Sequence, residues 1–174
     1  KILSSKKNRI ILQRRCAGNG RESFRSMLGG VLWQERDSST EQASGMRPVT
    51  ARQPSEEEYL DMVFANKIVK HSRSNAIVLA KNRQLCASGI GQTSRIDALR
   101  QAIQKAKAFG FSLEGAVMAS DAYFPFADSV TTAHEAGIAA VVQPGGSVRD
   151  QESIDYCNKT GVAMVFTGVR HFKH

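Results

Sequence analysis

Cysteine is scarce in this chain. Cys16, Cys86 and Cys157 are widely spaced, and no CxxC or Cys/His cluster accompanies them. A disulfide-stapled scaffold is therefore excluded, free thiols in a reducing, cytoplasmic setting are expected, and no zinc-ligand pattern is present. Long hydrophobic runs are missing too, so no membrane-spanning helix is expected. The opening residues are too basic, and their apolar stretch too short, for a signal peptide. Because the first residue is Lys rather than Met, a processed or truncated product is expected. No repeat of solenoid length occurs. What remains is ordinary for a soluble domain: 174 residues, 41% hydrophobic and 23% charged. That is one domain, or part of one, long enough to bury a core.

A net charge of +8 favours an anionic partner. The basic residues are scattered, however, and are not gathered into a stripe with interleaved aromatics, so nucleic acid is not the expected partner. Residues 1–15 form the one dense basic region and read as a solvated face or an edge left by truncation. A small phosphorylated or polycarboxylated ligand suits the remaining arginines better.

Along the chain, residues 9–13 (RIILQ) and 30–34 (GVLWQ) are of strand type, with a short helical turn expected at 23–28. Residues 35–54 read as a loop with a brief strand around Val49. Ser55 followed by three glutamates predicts a capped helix running to about Lys70, with Leu60, Val63, Phe64, Lys67 and Ile68 on its inner face. From Asn75 onward the pattern alternates. Strands are predicted at 76–80, 85–90, 116–119, 138–143 and 162–166. Helices are predicted at 94–109, 127–136 and 150–160, with Gly110, Gly137 and Gly161 as their stops. Such alternation predicts an α/β fold with a parallel or mixed sheet covered on both faces.

Three apolar runs in the last third each end in polar, Gly, Pro or charged residues: MASDAYFPFADS (118–129), VVQPGGSVRD (141–150) and VFTGVRHFKH (165–174). In open α/β sheets, ligands bind beyond the carboxyl ends of the strands, so these bursts mark the expected site. The GxG of residues 89–91 joins a strand to a helix ahead of Arg95. It reads either as an anion cradle or as a plain tight turn, since the third glycine of a dinucleotide fingerprint and the GK[ST] of a P-loop are both missing. Pro144-Gly145-Gly146-Ser147 is equally open between a backbone cradle and a turn. Tyr123, Phe124 and Phe126 around Pro125 form a corner for stacking on a heterocycle, or a hydrophobic plug with Asp128 as a helix N-cap. Arg170 and its neighbours directly follow a strand, where an arginine is well placed to hold a phosphate, or where a tail simply frays. Lys70-His71 reads as a dipole-favoured helix end rather than a catalytic pair.

Taken together, KHSRSNAIVLAKN (70–82), SGIGQTSRIDA (88–98), VMASDAYFPFADS (117–129), VVQPGGSVRD (141–150) and MVFTGVRHFKH (164–174) resemble the bifunctional AICAR transformylase/IMP cyclohydrolase family at its carboxyl-terminal end. FRSMLGGVLWQERD (24–37) resembles the family's RxxxGGxLxQxRD stretch. The resemblance implies that residues 1–174 are the second transformylase subdomain, a three-layer α/β/α, cytidine-deaminase-like fold with a mixed sheet. The first subdomain and the cyclohydrolase domain would then lie outside the chain. It implies formyl transfer from 10-formyltetrahydrofolate to AICAR, a homodimer with sites between subunits, and no metal, since neither HxE nor PCxxC occurs.

By position, the resemblance places AICAR at Asn75, at Arg95 (reaching across the dimer), at Tyr123 (where the family has Phe) and at Arg170, which would hold the phosphate. The folate side falls to Ile96, Asp128, Ser147 and Val148, with Asp128 facing the pterin. No catalytic residue is carried over, because the family's Lys-His pair belongs to the first subdomain and Lys70-His71 aligns with a different segment. A rival reading is a non-catalytic dimerising module that binds a phosphorylated small molecule.

Overall fold

The computed structural model describes residues 20–173. The basic stretch 1–15, the strand expected at 9–13 and Cys16 lie outside them. Two compact units make up the chain, residues 1–38 and 39–174.

In the first unit, β1 (Glu22–Met27) and β2 (Gly30–Glu35) form an antiparallel hairpin in which Phe24 faces Trp33 and Met27 faces Gly30. The helical turn expected at 23–28 is therefore wrong. Cross-strand pairs stabilise this segment as a strand, and Gly29, with φ +76, turns the chain in a conformation that side chains rarely adopt.

The second unit is built on a six-stranded mixed sheet of order β3-β8-β7-β6-β4-β5. Its strands are β3 (Arg47–Pro48), β4 (Ile77–Lys81), β5 (Gln84–Gly89), β6 (Ala116–Ser120), β7 (Ile138–Gln143) and β8 (Ala163–Phe166). Strands β6, β7 and β8 run parallel, and β3, β4 and β5 are antiparallel to their neighbours. Helix α1 (Glu56–Lys70) covers one face; α2 (Arg95–Ala108), α3 (Asp128–Glu135) and α4 (Asp150–Thr160) cover the other. The three-layer α/β/α architecture with a mixed sheet is thus as expected. None of the helices among the described residues is long and apolar enough to cross a membrane.

Side chains alternate across β4: Ile77 and Leu79 point into the α2 layer, Val78 and Ala80 into the α1 layer. On the α1 side the sheet presents only alanine and valine, including Ala76, Ala119, Ala140, Val142, Ala163 and Val165. Against this low surface α1 sets Met62, Ala65 and Val69, all fully buried. That corrects the inner face read from the sequence. Leu60 is 44% exposed, Lys67 is exposed, and Val63, Phe64 and Ile68 are only partly buried. A sheet face of small residues brings the helix backbone close, so its nearest stripe is Ala-containing and the bulkier stripe is displaced outward.

The start of α1 follows the sequence closely. Ser55 accepts a hydrogen bond from the Glu58 N–H, and Glu58 accepts one from the Ser55 N–H at 2.8 Å, a reciprocal capping box. Buried Asp61 on α1 accepts from the N–H groups of Asn82 and Arg83, at 2.8 and 2.5 Å. Both turn residues have positive φ, and the carboxylate fixes them as they join β4 to β5.

Cys86 and Cys157 are free and buried. Burial pushes both thiols up, Cys157 to about 12 from an ordinary value of 9.0. Below pH 9 both folded and unfolded states keep the Cys157 proton, so stability is unaffected there. Between pH 9 and about 12 only the unfolded chain ionises, and stability falls by up to about 1.4 kcal/mol per pH unit. Denaturant titrations at stepped alkaline pH are expected to show this slope, and Cys157→Ala to lessen it. An unchanged slope in the variant would place its origin elsewhere.

Candidate functional site

Parallel strands β6, β7 and β8 end at one edge of the sheet, where the antiparallel β4 begins, Ile77 lying opposite Ser120. At this edge the sequence changes from apolar to polar in four segments at once: Ser74-Asn75, Ser120-Asp121, Gln143-Pro144 and the tail after Phe166.

Arg95, the first residue of α2, is the hub. Its guanidinium donates to Asn75 Oδ1 at 2.8 Å, Asp121 Oδ1 at 3.1 Å and the Tyr123 carbonyl at 3.0 Å. The Arg95 side chain is 9% exposed and that of Asp121 fully buried. Asn75 in turn donates from Nδ2 to the Gln92 carbonyl at 2.9 Å. Three of the residues placed at AICAR by the resemblance, Asn75, Arg95 and Tyr123, are thereby joined directly. Within this chain Arg95 is engaged with its own neighbours. Arg95 Nε and Asp121 Oδ2 are buried without hydrogen-bond partners, so the cluster retains one donor and one acceptor.

The tail is tied into the same edge. Ser74 N–H donates to the Lys173 carbonyl and Lys173 N–H to Ser74 Oγ, each at 2.7 Å, while His171 N–H donates to the Asp121 carbonyl at 2.9 Å. Arg170 is exposed, with its guanidinium 4.1 Å from the centre of the Phe172 ring. Through Lys173 the tail is held rather than frayed. It holds a solvent-facing arginine beside the Arg95 cluster.

The folate-side positions sit on neighbouring segments. Ile96 is partly buried against the core, and Asp128 is exposed at the start of α3. Asp128 is the first helical residue and makes no cap; Ala127 occupies the N-cap position without a side-chain bond, which corrects the N-cap reading. Val148 is fully exposed and Ser147 partly buried. Arg149 stacks over the half-exposed Phe126 ring at 4.6 Å, which brings the 147–149 segment beside the 126–128 segment. The aromatic corner divides its roles: Phe124 is fully buried as a plug, while Tyr123 and Phe126 face outward.

Neither glycine loop offers the backbone cradle considered for it. Gly146 and Ser147 N–H groups both donate to Asp150 Oδ2, at 2.7 and 3.1 Å. Gly91 N–H donates to Arg73 O and Gln92 N–H to Asn75 O. Asp150 on α4 and the loop residues Arg73 and Asn75 use these donors, so at these four positions the backbone serves a turn. Lys70 and His71 likewise part company. Lys70 is buried and donates to Ser39 O and Thr40 Oγ1, whereas His71 is the exposed C-cap of α1.

Sequence reasoning missed Glu41. Its carboxylate, buried beneath the tail, accepts from Asn66 Nδ2 and pairs with His171 Nε2, both at 2.8 Å. Asp121 flanks the aromatic corner in the sequence, and its place directly after the apolar strand β6 marks it as an edge residue. Among the described residues no group of three His, Cys, Asp or Glu could hold a metal ion.

A family model described as AICARFT/IMPCHase bienzyme matches residues 1–105. The chain belongs to that family. The bifunctional purine biosynthesis protein PurH of Bacteroides thetaiotaomicron is 61% identical over 173 residues, covering 99% of this chain and 34% of its own length. The PurH proteins of Aquifex aeolicus and Acetivibrio thermocellus are 54% and 49% identical, over 86% and 100% of this chain and 29% and 34% of theirs. This member of the bienzyme family therefore spans about a third of the length of the curated relatives it matches. A solved diaminohydroxyphosphoribosylaminopyrimidine deaminase/5-amino-6-(5-phosphoribosylamino)uracil reductase from Thermotoga maritima superposes over 61% of this chain and 34% of its own. At a TM-score of 0.39 and 20% identity, that likeness carries no argument.

Proposed function

We infer that this chain supplies the positioning half of a formyltransferase site, as the carboxyl-terminal transformylase subdomain of a bifunctional purine-biosynthesis enzyme. One observation carries the reading: Asn75, Arg95, Tyr123 and the tail bearing Arg170 meet at one sheet edge, three of them through a single guanidinium.

In this reading Arg170 anchors the phosphate of AICAR, and Asn75 and Arg95 orient its carboxamide region beneath the Tyr123 ring. The co-substrate, 10-formyltetrahydrofolate, lies along Ile96, Asp128, Ser147 and Val148. The AICAR amine nitrogen attacks the formyl carbon, the bond from that carbon to the folate N10 breaks, and the proton that the amine gives up is balanced by one gained at N10, which releases tetrahydrofolate. Orientation of two bound substrates supplies a large part of such a rate enhancement. Proton transfer is a separate contribution, made by the Lys-His pair of the other transformylase subdomain across a homodimer. The chain alone is accordingly expected to bind and hardly to turn over. IMP cyclohydrolase activity belongs to a further domain of the full-length protein. The setting is cytoplasmic, and neither a metal nor nucleic acid takes part.

Calorimetric titration of AICAR into the chain is the test. Saturable binding that weakens at least about tenfold in Arg170→Ala is expected, since a charge-assisted contact to phosphate is lost. Equal affinity in the variant would remove Arg170 from the site. No binding at millimolar AICAR would remove the reading as it applies to this chain.

A further inference from the structure

The tail that carries Arg170 is held by backbone bonds on one side and by a buried side-chain bridge on the other. His171 is 2% exposed, and its Nε2 meets Glu41 Oε2 at 2.8 Å across 130 residues of sequence. The same oxygen accepts from Asn66 Nδ2, also at 2.8 Å. A carboxylate oxygen is an acceptor, so Nε2 is the ring nitrogen that carries the donated proton. Glu41 is itself fixed. Lys70, one helical turn beyond Asn66 on α1, binds Ser39 O and Thr40 Oγ1 in the residues just before it. An unbroken path of contacts therefore runs from α1 through Glu41 to His171, whose N–H reaches Asp121 O, and Asp121 holds Arg95.

We propose that Glu41 is a positioning residue for the anion-holding tail: by gripping His171 it sets where Arg170 stands relative to Arg95. The inference rests on the reading that Arg170 holds the AICAR phosphate. Charge and geometry favour this role over simple packing. A carboxylate buried in a polar segment needs partners, and Glu41 takes both from elements that frame the site, α1 and the tail. Nothing in the local sequence requires an acid at position 41. The neighbouring Ser38, Ser39 and Thr40 are loop residues, and Glu41 is a charged side chain in this stretch turned inward with its side chain 7% exposed. Loss of the grip leaves the tail tied only by its bonds at His171 and Lys173, which then open more often and let the adjoining Arg170 shift.

The experiment has two readouts on the same variants, Glu41→Ala and the shape-conserving Glu41→Gln. The first compares affinities for AICAR and for its unphosphorylated riboside. A positioning role predicts that Glu41→Ala weakens AICAR binding by about tenfold, the scale of a hydrogen bond to a charged group. The riboside should stay within about twofold, and Glu41→Gln, which keeps an acceptor for both donors, should recover most of the loss. Equal losses for both ligands, or none for either, would overturn the proposal.

The second readout is hydrogen exchange at the His171 and Lys173 amides. Both should exchange faster in Glu41→Ala while amides of the central strands stay protected, and unchanged exchange would also overturn the proposal. If the parent chain fails to bind AICAR, the functional reading falls, and exchange alone decides whether Glu41 holds the tail.

Discussion

Asp121→Ala is expected to destabilise the chain by about 3–5 kcal/mol, because it leaves the Arg95 guanidinium buried and unpaired. The pair is 3.1 Å long, with one side chain 9% exposed and the other fully covered. An isolated charge in that place has little access to water, and the remaining partners, Asn75 Oδ1 and the Tyr123 carbonyl, are neutral. The denaturant midpoint should fall steeply without a change in slope. Asp121→Asn keeps an acceptor near Arg95 and should lose less. Replacing both residues together, Asp121→Leu with Arg95→Met, should recover much of the stability while abolishing AICAR binding, since burying apolar groups in place of an ion pair is often close to neutral. A loss below about 1 kcal/mol in Asp121→Ala would show that the guanidinium finds water or another partner. It would also weaken the case for a preformed Arg95 cluster.

Gly89→Ala should also be strongly destabilising, for a steric reason. A Cβ at this position would stand 1.8 Å from the Ala98 carbonyl oxygen and 2.6 Å from its carbon. These are backbone atoms of α2, so no side chain can swing aside and the helix itself must move. Overpacking that displaces backbone costs about 1–3 kcal/mol or more. Because Arg95 opens that helix, the variant should lose AICAR affinity along with stability. Gly45→Ala is the control: its added methyl meets nothing within 4 Å, and its midpoint should stay within about 0.5 kcal/mol of the parent. Similar midpoints for the two variants would mean that α2 can withdraw from β5 at little cost.

Local signals in the sequence located most of the elements, and nonlocal ones account for the errors. Asp150 and Gly161 bracket α4 at its observed bounds because an acidic first turn and a left-handed stop are properties of single positions. Ser55 and Glu58 mark the start of α1 for the same reason. The face of α1 was misread because periodicity identifies an apolar stripe and says nothing of the height of the surface beneath it. On a sheet face of alanine and valine, Ala65 packs more closely than Leu60. Residues 23–28 were misread because the strand there is stabilised by partners on another strand, Phe24 by Trp33 among them. At the site, Arg95 and Arg170 were legible as cations at element ends. Glu41 was not, since its reason for being an acid lies 130 residues away at His171.

The clasp between Ser74 and Lys173 also bears on the order of assembly. Its two ends are 99 residues apart, whereas β6, β7 and β8 pair with successive neighbours through short helical crossovers. Closing a loop of that length carries an entropy cost that nearby contacts do not face, and contacts of large sequence separation slow folding. The β3–β8 pairing, Pro48 opposite Val165, spans a similar separation, so the outer strand and the ligand edge both close after the centre of the sheet. Amide protection at Ser74 and Lys173 should appear after that of β6 and β7 when the chain refolds, so recovery of binding lags recovery of the sheet's centre.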